Sequence, residues 1–434
     1  MKIKAIVILF CISFTLSSIA EEKWSNKGEV SFQWRRFEDD KTVESEDTGT
    51  LVFSRIESQY ESGNIKNVFR GFARVDHKDS DRDFMALEDF YLSRFFGGNQ
   101  DLQVLFGYRL YNWTATEAFH PADVVNSENF DSDLEFFEKL GEPAFEINKF
   151  FDWGTLSAFI WPRFENPQFP GNRSRLGFGI DFSRPQSVTG TNQGEDWVLQ
   201  GGVRLTYTLD DGDLSFHLIH HVDRNFPLVG TTNYVFNPFL NQNIPLDITS
   251  LTVNPTPYYF RVTQAGGTLQ YAFSNLILKF EGATRIFEDD LEVLTIEGLQ
   301  APVDHSEVAL GAEYQLPINW GGGDTSVFLE GGGILGTTKE ERARLSVFQR
   351  DVFLGLRHSF NDIMGSELML TLIHDLERSN ERLYNLSYSR RLSDQWKLKL
   401  GVRVYDAPIK GSIARGLENL DGSNHVLMTL THYF

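Results

Sequence analysis

Four residues in one short stretch have the types that do hydrolytic or metal chemistry: His217, His220, His221 and Asp223. Imidazole relays a proton beside a carboxylate or binds a metal through a ring nitrogen. A hydrolytic site would set such histidines against serine or acidic partners. The spacing tells against that use. In a strand, His217 and His221 share one face and His220 takes the other. No serine-centred nucleophile motif accompanies them, and no further metal ligands cluster nearby. Two glycine runs, 321–323 and 331–333, are not phosphate loops, because neither is followed by Lys-Ser or Lys-Thr before a helix. The chain therefore reads as a non-enzyme with no cofactor, a rim hydrolase at His221 being kept as the alternative.

Charge offers a different chemistry. Arg35, Arg55, Arg70, Arg74, Arg109, Arg204, Lys279, Arg285, Arg357, Lys397, Lys399 and Arg403 all fall at positions that alternate with apolar residues. Glu57, Asp76, Glu281, Glu313, Asp351 and Asp375 do the same. One long connection, 112–141, adds seven acids: Glu117, Asp123, Glu128, Asp131, Asp133, Glu135 and Glu138. Lys139 is its only Lys or Arg. Basic walls facing an acidic loop across a gap would order water and select solutes by charge and shape. The sequence alternatives for this segment are an inward-folding loop or a plain outer loop with a short helix at 132–140.

The elements that must position these charges are strands. From Trp197 to Leu209 the apolar residues alternate with Gln200, Gly202, Arg204, Thr206 and Thr208. An Asp-Gly turn follows, and the alternation resumes through Leu214, Phe216 and Leu218, which makes a hairpin. The same unit recurs along the chain. The pattern predicts strands at 28–37, 50–60, 66–76, 86–95, 101–111, 142–149, 153–163, 196–209 and 213–223. It continues at 257–273, 276–287, 305–316, 324–335, 347–360, 366–376, 382–392, 395–405 and 424–434. Short turns alternate with long polar connections, and no amphipathic helix interrupts them. That rhythm is an antiparallel up-and-down barrel of about 18 strands with both termini at the short-turn end. A charge facing lipid near the midplane costs about 2–4 kcal/mol, so the alternating charges belong in the lumen. A soluble β-sandwich would need a separate core within every hundred or so residues, and no such grouping is visible.

The last strand, 424–434, ends on Phe434 and resembles the closing strand of Gram-negative outer-membrane β-barrels. The resemblance implies a transmembrane barrel in the outer membrane, with outer-membrane lipid, lipopolysaccharide and the outer-membrane assembly machinery as partners. The position of 112–141, after the fifth strand, resembles the constriction loop of general and substrate-specific porins. It implies a channel (porin) for passive diffusion of small polar or charged solutes, and a possible homotrimer. Arg35, Arg55, Arg70, Arg74, Arg109, Arg204, Arg285, Arg357, Arg403, Glu117, Asp123, Asp131 and Asp133 are then the pore-lining candidates. The run Phe106-Gly107-Tyr108-Arg109 to Trp113, with Pro121-Ala122-Asp123 and Asn126, is similar to porin-like and alginate-export barrels. It implies the alternative of an export conduit for a charged polysaccharide.

The rest of the chain fits an exported protein. Residues 1–20 carry Lys2 and Lys4, an apolar run and a Ser-Ile-Ala end, the pattern of a cleaved signal peptide. Cys11 lies in that leader and is the chain's only cysteine, so residues 21–434 have no thiol or disulfide chemistry. The net charge of −20 excludes nucleic acid as a partner. Barrels that need an N-terminal plug, and ducts built on long helices, do not match a first strand at 28–37.

Overall fold

The computed structural model describes residues 22–38, 45–133, 136–171, 173–176, 187–188, 197–225, 228–231, 234–237, 242–245, 255–288, 292–295, 298–378, 380–408 and 416–434. The signal-peptide expectation at 1–20 lies outside them. Eighteen strands form one sheet. They are β1 (Glu22–Phe37), β2 (Thr48–Ser62), β3 (Ile65–Asp76), β4 (Phe84–Phe96), β5 (Leu102–Arg109) and β6 (Glu142–Phe151). There follow β7 (Gly154–Trp161), β8 (Gln200–Leu209), β9 (Gly212–Val222), β10 (Arg261–Phe273), β11 (Leu276–Phe287) and β12 (His305–Trp320). The last are β13 (Gly323–Leu335), β14 (Arg350–Ser359), β15 (Glu367–Asp375), β16 (Arg382–Arg391), β17 (Trp396–Asp406) and β18 (His425–Tyr433). Each strand pairs antiparallel with its neighbour in sequence. β18 closes the ring on β1, from Glu29↔Tyr433 to Phe37↔His425. Every predicted strand is present. Closure satisfies the backbone polar groups internally, which a lipid environment demands.

The alternation sets what faces outward. Phe106 on β5, Val203 on β8, Phe216 on β9, Phe280 on β11, Leu329 on β13, Leu354 on β14 and Leu370 on β15 are all exposed. Their neighbours on the other face, Leu105, Gln200, Ser215, Glu281, Glu330, Phe353 and Thr371, are buried. An exposed apolar belt around a closed barrel belongs against hydrocarbon. No helix among the described residues is long and apolar enough to cross a membrane. At the short-turn end, exposed Phe151, Trp153, Tyr207, Phe273, Tyr314, Trp320, Trp396, Tyr433 and Phe434 form a girdle. Phe151 stacks on Trp153, and Trp153 on Tyr207.

Phe434 does more than end the chain. Its backbone exchanges hydrogen bonds with Gly28 at 2.9 and 3.0 Å. A Cβ at Gly28 would lie 2.3 Å from the tip of the Phe434 ring, so glycine there leaves room for the ring to lie against the seam. Deeper in the same seam, Ser31 and Thr431 share a buried 2.8 Å hydroxyl contact.

Two local readings differ from expectation. A short helix, Lys339–Leu345, occupies the β13–β14 connection. Thr338 caps it in a capping box with Glu341, and Arg342 anchors it to Glu377 at 2.9 Å. Seven residues are too few to show an apolar period in sequence, which is why alternation alone missed it. In the β5–β6 connection, the described residues of 132–140 are not helical. They belong to a β-hairpin, Glu128–Asp133 with Phe136–Lys139.

Candidate functional site

The connection between β5 and β6 leaves its own side of the barrel. Trp113 packs its ring 5.2 Å from the His217 ring on β9. The Arg204 guanidinium of β8 lies 5.0 Å over the same tryptophan. Ala115 and Thr116 then donate their backbone N–H groups to Glu281 on β11, at 2.6 and 2.8 Å. The Thr116 hydroxyl adds a 2.6 Å bond to the same oxygen. Glu117 and Ala118 donate backbone N–H groups to Glu330 on β13, at 2.5 and 2.9 Å. Ala122 returns to Glu281, and Arg285 donates to the Pro121 carbonyl at 3.3 Å. Glu281 and Glu330 sit on the inner face, opposite exposed Phe280 and Leu329. Two wall carboxylates therefore hold residues 115–122 on strands far round the ring from β5.

Packing completes the hold. Tyr111, Trp113, Val124 and Val125 form an apolar cluster with Ala144, Phe159, Trp161 and Ile219 of β6, β7 and β9. Phe119 joins a second cluster with Phe328, Phe353, Ile373, Leu383 and Tyr405, which point inward from β13 to β17. Gly332 makes room for it, since a Cβ there would lie 2.7 Å from the Phe119 ring. Strand alternation assigns the inner face to polar and charged residues and gives no place to these inward apolar side chains. Their signal was present as apolar residues on both faces at the outer ends of β13 to β17.

The second half of the connection turns back toward β3. Asp131 accepts from Arg82 at 3.1 Å and lies 3.9 Å from Arg74. Glu138 accepts from Arg74 at 3.2 Å. Lys139 pairs with Asp123 inside the loop. Asn126 ties the two ends together, bonding the carbonyls of Arg109 and Leu140 at 3.0 and 2.8 Å.

The thirteen candidate residues fall into three groups. Arg35, Arg74, Arg285, Arg403, Asp123 and Asp131 are buried. Arg55, Arg70, Arg109, Arg204, Arg357 and Glu117 are half-exposed. The Asp133 side chain lies outside the described part of the structure, as does Glu135. Asp131 thus ties the loop to Arg74 of β3 and to Arg82, while Asp123 braces the loop internally through Lys139. Most of the half-exposed cations sit beside a carboxylate. Arg55 bonds Glu29 at 3.1 Å and Glu88 at 2.8 Å, and Arg70 lies 3.1 Å from Glu88. Arg109 meets Asp89 at 3.3 Å. Arg357 and Lys279 share Glu313 at 2.9 and 3.2 Å, and Lys279 also binds Glu117.

Two loop groups titrate away from their ordinary range. Burial pushes the His120 imidazole down, but its contact with the Glu281 carboxylate at 3.4 Å outweighs that and holds it above its usual value. Burial pushes the Glu128 carboxyl up to about 7, against the pull of Lys139.

The histidine set does not assemble. His217 is enclosed by Trp113 and contacts Gln264 at 3.0 Å, while His221 bonds the Val222 carbonyl at 2.9 Å. Among the described residues no three His, Cys, Asp or Glu side chains converge as metal ligands.

Fold and interior together define the class as a closed transmembrane β-barrel of porin-like form, with a loop bound to its inner wall. No protein-family model and no curated protein matches the chain. Among solved structures, a mutant of the Rhodopseudomonas blastica porin is 13% identical, covering 95% of this chain and 100% of its own, with a TM-score of 0.43. The Salmonella typhi OmpF complex with daunomycin is 7% identical, covering 95% of this chain and 98% of its own, with a TM-score of 0.45. The likeness to both is one of barrel shape.

Proposed function

We propose that the protein is a passive channel of the outer membrane for small polar or charged solutes, with 112–141 as its constriction and no reaction catalysed. The observation that carries this reading is the clamp of Glu281 and Glu330 on the backbone of residues 115–118, from the far wall. A loop held so firmly across a barrel narrows the path and fixes which charges line it. Arg55, Arg70, Arg109, Arg357 and Glu117 are the lining groups. Each works beside an opposite charge, so the lining presents local dipoles more than a uniform field. Such a lining suits small polar solutes and supports them over a polyanionic polysaccharide, which would need an uncompensated basic track.

The test is single-channel recording in planar bilayers. The purified barrel gives discrete conductance steps, and deletion of 115–138 enlarges them. Well-folded protein that gives no steps refutes the channel. Current block by a polyanion from the short-turn side would turn the assignment to polysaccharide export.

A further inference from the structure

Three cations of the inner wall lack what most of the others have. Arg55, Arg70, Arg109, Arg357 and Lys279 each sit beside a carboxylate. At the short-turn mouth, Arg391 on β16 and Lys397 and Lys399 on β17 do not. They share the inner face with buried Leu383 and Tyr405, and alternate with exposed Leu386, Leu400 and Val402. Arg391 and Lys397 are direct cross-strand partners. Such partners have Cβ atoms about 4.5–5.5 Å apart, and like charges there repel. Lys399 follows Lys397 on the same face, one step deeper. Among the described residues, none of the three side chains forms a hydrogen bond or an ion pair. The acids around them give no answer. Glu29, beyond β18, is held by Arg55 at 3.1 Å. Glu367 lies two strands from Lys399, across Ser389, and pairs with neither lysine. Asp394, in the turn that joins β16 to β17, pairs with none of the three.

Three clustered cations without a counter-charge favour an anion. Ser389 and Thr429 flank Lys399 as its direct partners, and among the described residues neither hydroxyl is engaged. We propose that Arg391, Lys397 and Lys399, with these two hydroxyls, bind the phosphate group of a small solute at the short-turn mouth. A phosphate monoester carries about 1.5–2 negative charges at neutral pH and three acceptor oxygens. The guanidinium offers it a two-pronged fork, and each lysine a mobile point charge. A monocarboxylate, with a single charge and two oxygens, would leave part of the cluster unanswered. The cluster is too short to be a track for a polyanion. Gly401 follows Lys399 on the inner face of β17, and Ser387 and Asn385 follow Ser389 on that of β16. The inference names a solute class for the proposed channel and so rests on that reading, but its binding test needs no conduction.

The experiment uses the full barrel folded in detergent at low salt. Inorganic phosphate, glycerol phosphate and acetate are titrated calorimetrically. The expected result is one phosphate group bound per chain, about tenfold or more tighter than acetate. Tighter binding of glycerol phosphate assigns the cluster to an ester, and tighter binding of inorganic phosphate to the free ion. Lys397→Gln and Lys399→Gln should each weaken phosphate by about tenfold, the lower end for a charge-assisted bond because the cluster is open to water. Lys149→Gln, at the same end of the barrel but paired with Asp101, should leave binding unchanged. In planar bilayers phosphate on both sides should reduce the chloride current of the wild type and spare that of the double lysine variant. No phosphate binding by the folded wild type overturns the proposal. So does acetate binding as tightly as phosphate, or a folded double variant that binds phosphate as the wild type does. A barrel that binds phosphate and gives no conductance steps refutes the channel and leaves the phosphate site standing, whereas one that conducts without binding does the reverse.

Discussion

Glu281 is the residue on which the seated loop depends most. It is fully buried, and its carboxylate accepts from Ala115 N–H, Thr116 N–H and the Thr116 hydroxyl at 2.6 to 2.8 Å. A hydrogen bond to an ionised group contributes about 1.5–3 kcal/mol. These bonds share one carboxylate and do not add. Removing one partner of a buried charged contact costs about 3–5 kcal/mol, because the donors left behind stay desolvated. In Glu281→Ala the equilibrium between seated and released loop should therefore fall by roughly two to four orders of magnitude, at about 1.4 kcal/mol per tenfold. The barrel ladder is untouched, so the variant should still fold and run as a heat-modifiable species. Two assays read the loop directly. Limited proteolysis should cut within 113–122 in the variant and spare the wild type. Bilayer recordings should show noisier, larger open currents. A variant with wild-type protease resistance and wild-type current noise would refute the assignment of Glu281 as the anchor.

Other expectations concern pH, the seam and the lining. His120 is held above its ordinary value, so its attraction to Glu281 is fully present below about 6.5 and is lost as pH rises through the raised value. Glu128, pushed up to about 7, favours the folded loop when protonated, so its contribution too falls as pH rises from about 4.5 to 7. Both signs agree: the loop should resist protease better at pH 5 than at pH 8, and Glu128→Gln should flatten part of that slope. Gly28→Val should displace the Phe434 ring from the seam and lower the yield of folded, heat-modifiable barrel, whereas Gly98→Val, where a Cβ meets nothing within 4 Å, serves as the uncrowded control. Arg357→Ala leaves Glu313 with Lys279 alone, and the reversal potential under a salt gradient should move toward cation preference.

The barrel was legible because a lipid-facing wall imposes period two on every strand, and each predicted strand is found within a few residues of its observed bounds. The largest difference is at the start of β1, which begins at Glu22 and not at 28; at the outer ends, β8, β10 and β14 start three or four residues late, at Gln200, Arg261 and Arg350. The candidate site was legible only in part. Composition marked 112–141 as unusual, but nothing local told that Asp123 and Asp131 are buried ties, or that Glu281 and Glu330 hold backbone. The Glu281 and Glu330 contacts join residues more than 150 positions apart, and Asp131 meets Arg82 across 49.

The sequence by itself determined the ring: alternating apolar and polar residues, short turns against long connections, and an aromatic last residue. These are local signals, because each strand must satisfy lipid on one face regardless of its neighbours. The tertiary structure decided what fills the ring. Which wall the loop reaches, which carboxylates receive its N–H groups, and where Phe119 finds Gly332 all depend on distances across the closed barrel. Closure brings β5, β11 and β13 around one interior, and no period in the chain encodes that meeting.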